Sequence, residues 1–208
     1  MTHPTIADAL SVPEAIATRR SIRTYTDQPV PQQDLDTILK LAGLAPSAWN
    51  IQPWRFVVVR NPEVKAQIKG AAYGQGQIGS APVVLVVYSD MQRALANLDD
   101  VVHPGMPAEQ RATSIQGILS AFANQSTEEQ ENWGAGQTYI AIGYLSLAAR
   151  SLGYDTSLML GFDPEKVKEI LDLPAHVRIP ALIPLGIAAE EGFPHYRHEP
   201  ATITHIVD

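Results

Sequence analysis

The chain has 208 residues, a hydrophobic content of 45% and a formal net charge of -7. That size suits one domain with a substantial core, and the acidic balance argues against nucleic acid or an anionic membrane as the main partner, because both need an extended basic surface. With no cysteine, the chain has no disulfide, thiolate nucleophile, iron–sulfur cluster or cysteine-ligated zinc. Met1 to Asp8 lack the basic and apolar regions of a secretory signal. No window approaches the roughly 18 apolar residues of a membrane span. A cytoplasmic protein is predicted.

Ser11-Val12-Pro13-Glu14 has the form of a capping box and opens a short helix running towards Arg19. Pro31 can open a second helix, in which Leu35, Ile38, Leu39 and Ala42 share one face, and which should stop between Gly43 and Pro46. Phe56 to Val59 is a β-branched run of strand length. Asn61-Pro62 caps a further helix reaching about Ala72, and Pro82 to Tyr88 is a fully apolar strand expected at the centre of a sheet. Residues 90–125 are polar, weakly periodic and broken by Pro104 and Pro107, which predicts a helical excursion. From Thr127 to Leu152 the pattern is helical, and it is apolar nearly all round after Ala135, so this helix belongs in a core or an interface. Gly153 can cap it. A strand over Thr156–Leu160, a helix behind Asp163-Pro164, and a strand over Ile179–Ala188 interrupted by Pro180 and Pro184 follow. The tail from Glu190 to Asp208 has little to form a core of its own and should lie across another surface. Strands spread among helices predict an α+β fold, a single domain over residues 1–208.

The densest chemistry lies in Thr18-Arg19-Arg20-Ser21-Ile22-Arg23-Thr24-Tyr25, with three arginines that oppose the acidic trend of the chain and three aliphatic hydroxyls among them. Arginine forks and small hydroxyls suit a phosphate. Cations at a helix C-terminus, solvated and favoured by the dipole, suit the same residues. Gly74-Gln75-Gly76-Gln77-Ile78-Gly79 fits the dinucleotide fingerprint GxGxxG, but a helix precedes it and a strand follows, the reverse of the order that places a pyrophosphate on a helix N-terminus. His195 and His198 have metal-ligand spacing only on a helix, and Pro194 and Pro200 argue against one, so no metal site is expected. No GxSxG elbow supports triad hydrolysis.

With the arginine segment stands a second one, Ala45-Pro46-Ser47-Ala48-Trp49-Asn50-Ile51-Gln52-Pro53-Trp54. Together with L-G-Y-D-T-S-L-M-L-G-F from Leu152, P-L-G-I from Pro184 and an arginine near the C-terminus, they make the chain resemble the nitroreductase family of FMN-dependent flavoenzymes over nearly its whole length. The resemblance implies a mixed central β-sheet flanked by helices and an intertwined homodimer with two FMN molecules at its interface. It implies that Arg19, Arg20, Ser21 and Arg197 hold the FMN phosphate and ribityl chain. Arg23 would reach the pyrimidine end of the isoalloxazine, where a cation favours the reduced ring. Pro46, Ser47 and Asn50 would come from the other subunit, and the backbone of Leu160 and Gly161 would face the N5 and O4 side. Some members carry a lysine in the loop before the central strand and a glutamate at the position of Leu160. Here Gln75 or Gln77 would be a neutral donor instead.

The activity implied is electron-pair transfer from NADH or NADPH to a nitroaromatic, quinone or similar flat acceptor by a ping-pong mechanism, with flavin and no residue as the catalyst. Two alternatives stay open. One keeps the fold with other flavin chemistry, such as dehalogenation, ring dehydrogenation or flavin fragmentation, decided by the excursion at 90–125 that would roof the pocket. The other is an FMN-binding protein without catalysis. Trp49 and Trp54 also fit plain core or interface roles, and Asn50 fits a turn.

Overall fold

The computed structural model describes residues 9–207, so the stretch read for a signal, Met1 to Asp8, lies outside the described residues. Ser11 and Glu14 close a reciprocal capping box on helix α1 (Val12–Thr18). Helix α2 (Gln32–Gly43) follows with Pro31 at its N-cap, one position before the first turn, and buries Leu35, Ile38 and Ala42. A 3-10 turn at Ala48–Asn50 leads into strand β1 (Trp54–Val59), two residues longer than its β-branched run. Asn61 caps helix α3 (Pro62–Ala71) through bonds from Glu63 and Val64.

The glycine-rich stretch is a one-turn helix, α4 (Gly76–Ser80), that runs directly into strand β2 (Val83–Ser89). Helices α5 (Met91–Ala96) and α6 (Ala108–Phe122) make up most of the excursion. Helix α7 (Thr127–Ser151) opens with a second capping box, Ser126 with Glu129. Strand β3 (Asp155–Thr156), helix α8 (Pro164–Leu171), strand β4 (Arg178–Gly186) and a short helix α9 (Pro200–Ile203) complete the order.

The strands form one sheet in the order β1-β2-β4-β3 with every ladder antiparallel. The parallel component of the expected mixed sheet is confined to a bridge between Ser21 and Thr156. The apolar run at Val83–Val87 is central, between β1 and β4, and its side chains alternate between two cores. Val83, Leu85 and Val87 pack with Ile142, Leu145 and Ala149 of α7 and with α2. Val84 and Val86 pack with Ile68, Ile78 and Val167 on the other face. Helices therefore cover both faces of the sheet, which is why β2 has no polar side.

Two strand expectations need correction. The strand expected over Thr156–Leu160 pairs regularly only at Asp155–Thr156, with Met159 bridging back to Leu182. The prolines do not interrupt β4. Leu182 exchanges both backbone bonds with Met159, and the Pro184 carbonyl accepts from Ser157, so these residues face the short β3 side. Pro180 shares their parity, and the odd-numbered residues carry the ladder to β2. Neither proline removes a bond from the long ladder.

Gly134 lies where α7 crosses the end of β2. A Cβ there would overlap the Ser89 hydroxyl and lie 2.6 Å from Met91 Cγ. Alanine in place of a helical glycine ordinarily stabilises by about 0.5–1 kcal/mol. Here overpacking reverses the sign, and Gly134→Ala is expected to destabilise by about 1–3 kcal/mol in denaturant titration. A stabilised variant would show that the crossing relaxes freely.

Candidate functional site

Helix α1 ends on Arg19, whose N–H closes onto the Ala15 carbonyl, and the chain then turns extended. Ile22 N–H donates to the Thr156 carbonyl and Thr26 N–H to Ile187, while Ala189 N–H donates to Thr24. The arginine segment is thus stitched along the end of the sheet. Buried Tyr25 fixes it from below, its hydroxyl donating to the Ile22 and Pro184 carbonyls at 2.9 and 3.2 Å. Burial, with the charges of Asp155 and Glu190, raises the pKa of that phenol, so it stays a donor. Arg23 N–H donates to Glu190 Oε1 at 2.6 Å.

After Glu190 the chain turns through Gly192, at φ +69°, where a Cβ would lie 2.9 Å from Ile22 Cδ1 and 3.0 Å from Arg20 Cβ. Only glycine combines that backbone with so close an approach. The turn returns the tail over the arginines. Arg19, Arg20, Ser21, Arg23, His195 and Arg197 line a cavity of about 160 Å³. Arg19 is half-buried: burial first, then the charges of Arg197 and Arg20, lower its pKa, with Asp155 opposing them. Asp155 is itself paired with Arg150 at 3.0 Å. The cavity therefore holds a surplus of positive charge and a hydroxyl, a donor set that fits a small dianion.

Arg20 fulfils part of the simpler expectation as well. Its Nη1 caps α1 by donating to the Ala17 and Arg19 carbonyls, each at 2.9 Å. His195 Nε2 lies 2.6 Å from the same Arg19 carbonyl and 3.1 Å from Arg20 Nη1, which holds the ring against both arginines.

Two further groups stand apart from this one. Gln75 Nε2 donates to the Gly161 carbonyl at 2.6 Å, and Gln77 Nε2 donates to Gln75 Oε1 at 3.1 Å. The relay fixes which way the Gln75 amide points and steadies the Gly161 peptide. Leu160 beside it is 63% exposed. Pro46, Ser47 and Asn50 form the third group, around a backbone in which Trp49, Asn50 and Gln52 have φ of 52, 57 and 48°. Such residues are strained. Ser47 Oγ accepts from Gln52 N–H at 3.0 Å, and Asn50 Nδ2 donates to the Val101 carbonyl at 2.8 Å, tying the segment to the excursion. Trp49 meets Phe122 and Trp133 in an aromatic cluster. Among the described residues no hydrogen bond joins this third group to the arginines.

Glu190 and His195 were not among the expected site residues. His195 had a legible signal: in an extended tail it shares a side with Arg197, two positions on. Glu190 had none, because its role is set by register against Arg23.

The model of the Nitroreductase family matches residues 16–187. The chain is 50% identical over 188 residues to the NADH dehydrogenase of Thermus thermophilus, covering 90% of this chain and 92% of that protein. It is 31% identical over 192 residues to YdgI of Bacillus subtilis, assigned as an NAD(P)H nitroreductase, covering 88% and 91%. Among solved structures, an Exiguobacterium sibiricum protein assigned to the nitroreductases and crystallised in complex with FMN superposes with a TM-score of 0.88 at 29% identity, covering 99% of this chain and 100% of that one.

Proposed function

From the premise that this chain belongs to the nitroreductase family, we propose that it is an FMN-dependent NAD(P)H oxidoreductase acting as a homodimer on nitroaromatic, quinone or similar flat acceptors. The observation that carries this reading is the convergence of Arg19, Arg20, Ser21 and Arg197 on one small cavity, in a chain of net charge -7. Bound FMN supplies the redox chemistry, and the protein supplies binding, orientation and charge. Arg19, Arg20, Ser21 and Arg197 hold the phosphate and ribityl chain, and Arg23 places a cation towards the pyrimidine end of the ring. The backbone N–H groups of Leu160 and Gly161 face the N5 and O4 side of the ring, and Gln75, which also holds the Gly161 carbonyl, is a neutral donor beside it. Pro46, Ser47 and Asn50 reach the cofactor from the partner subunit, in keeping with their absence from the lining of the arginine cavity among the described residues.

The dimer is supported by unpartnered apolar surface. Leu44, Ile140 and Tyr144 are exposed, and a cleft of about 430 Å³ beside them is lined by Leu10, Val12, Leu41 and Leu147. Patches of this kind mark interaction sites. The chain acts as one domain; of the arm expected on the partner, residues 190–197 lie over this chain's own arginines, and the part beyond them crosses the partner. The NAD(P)H pool makes the cytoplasm the site of the reaction. No described helix is long and apolar enough to cross a membrane.

One flavin face serves donor and acceptor in turn, because the GxGxxG stretch offers no second nucleotide site: it leads from a helix into β2. The purified protein is expected to be yellow, to release FMN rather than FAD on denaturation, and to give parallel double-reciprocal lines for NAD(P)H against a quinone. Colourless protein that takes up no FMN would sink the cofactor assignment. Intersecting lines would sink the shared face alone.

A further inference from the structure

Away from the arginine cavity, three side chains from separate elements converge: Asp90 at the N-cap of α5, Glu131 in α7 and His176 just before β4. One ligand-type atom from each lies within 4.8 Å of the others. His176 Nε2 and Asp90 Oδ1 are 3.1 Å apart. That is a hydrogen-bond distance; bond lengths of about 2.0–2.2 Å put the edge of a tetrahedral zinc site near 3.3–3.5 Å, so the two atoms need part by only a few tenths of an ångström to flank an ion. Glu131 is 2% exposed, and its Oε1 accepts the Met91 N–H at 2.7 Å. Its Oε2 has no hydrogen-bond partner. The fully buried Ser89 hydroxyl lies close enough to favour the carboxylate but makes no hydrogen bond of good geometry with it.

Two carboxylates and an imidazole, one oxygen of them buried and unpaired, are an incomplete arrangement. With only the His176 imidazole beside the two carboxylates, the buried Glu131 oxygen is left without a partner, which costs free energy. We propose that Asp90, Glu131 and His176 bind a divalent transition-metal ion, of which Zn²⁺ suits the ligand set best. Backbone donors at the start of α5 orient both carboxylates, Arg93 N–H on Asp90 and Met91 N–H on Glu131, as outer-shell partners do in metal sites. A cleft of about 490 Å³ opens onto Glu131 and His176 and gives an ion, with a water as fourth ligand, its entry. The ion would join the root of the excursion at α5 to α7 and β4. No sequence spacing announced it, because the three ligands stand 41 and 45 positions apart in turn.

The test uses the full-length FMN-loaded protein, stripped with a chelator and titrated with ZnCl₂, then with MnCl₂. One Zn²⁺ per chain is expected, with Mn²⁺ weaker. At a free concentration a hundred times Kd, Tm should rise by about 5–10 °C. Glu131→Gln keeps the shape and the Met91 contact, and His176→Gln removes the imidazole. Each should lower Zn²⁺ affinity at least about 100-fold, with circular dichroism unchanged. Should His176→Gln fail to fold, Glu131→Gln alone decides. A triple variant of the tail, His195→Ala/His198→Ala/His205→Ala, should keep the site. The proposal is overturned by no stoichiometric Zn²⁺ uptake, by uptake indifferent to Glu131→Gln, or by uptake lost with the tail histidines. It is equally overturned if Glu131→Gln stabilises a protein that shows no metal response, since Glu131 then simply keeps a proton.

Discussion

Arg19→Ala and Arg197→Ala are each expected to weaken FMN binding by about 10- to 150-fold, with riboflavin binding nearly unchanged. Each change removes a charge-assisted hydrogen bond worth about 1.5–3 kcal/mol, and about 1.4 kcal/mol is one decade of affinity. Riboflavin lacks the phosphate, so it isolates that contact from the rest of the site. The two arginines arrive by different routes, one at the end of α1 and the other on the returning tail. Arg19 is the more constrained, because burial and two neighbouring cations already disfavour its charge. An anion in the cavity relieves that repulsion, so ligand binding and the order of the tail should be linked. Equal losses for FMN and riboflavin, read by fluorescence titration, would show that these arginines act on the fold rather than on a phosphate.

Deleting the chain from Glu190 onward should abolish both FMN retention and the dimer. Phe193, Tyr196, Ile203, Ile206 and Val207 are 81, 94, 71, 75 and 84% exposed in the isolated chain. Burying an aliphatic or phenyl side chain is worth about 1.5–3 kcal/mol, so a tail that displays several in a row is built to meet another surface. A shorter deletion, after Glu199, separates two roles. It keeps His195 and Arg197 over the cavity and removes Ile203, Ile206 and Val207. It should weaken the dimer and leave a stronger residual FMN affinity than the full deletion. Because an obligate dimer has no stable folded monomer, thermal stability of the intact protein should also rise with its concentration. A dimer that holds FMN without the tail, by light scattering and absorbance, would refute the role given to this segment.

Local chemistry made much of the fold legible. The capping box read at Ser11 needs only a glutamate three positions on, so it forms where the sequence places it, and Ser126 with Glu129 repeats the spacing. The run Val83–Val87 had to be central, because a strand without a polar side chain needs cover on both faces. The order of helix, glycines and strand excluded the dinucleotide motif without coordinates. The arginine segment stood out as a local surplus of cations in an acidic chain, and the structure gathers Arg19, Arg20, Ser21 and Arg23 on one cavity while Arg20 also caps α1.

What the sequence could not fix were relations between elements. Pro180 and Pro184 looked like interruptions, and only the register against β2 and Met159 shows that both face the side where little pairing is lost. The strand after Gly153 was shortened by the same geometry, its residues leaving the ladder after Thr156. The Glu190 contact to Arg23 depends on the register of the chain before Gly192, and the packing of His195 against Arg19 on the turn at Gly192, which brings a distant tail over α1. The meeting of Asp90, Glu131 and His176 depends on where α7 crosses β2. Periodicity and caps are properties of a few neighbouring residues. Register, crossing and return are set only when the whole chain satisfies its buried hydrogen bonds together, and the tertiary structure alone decided those.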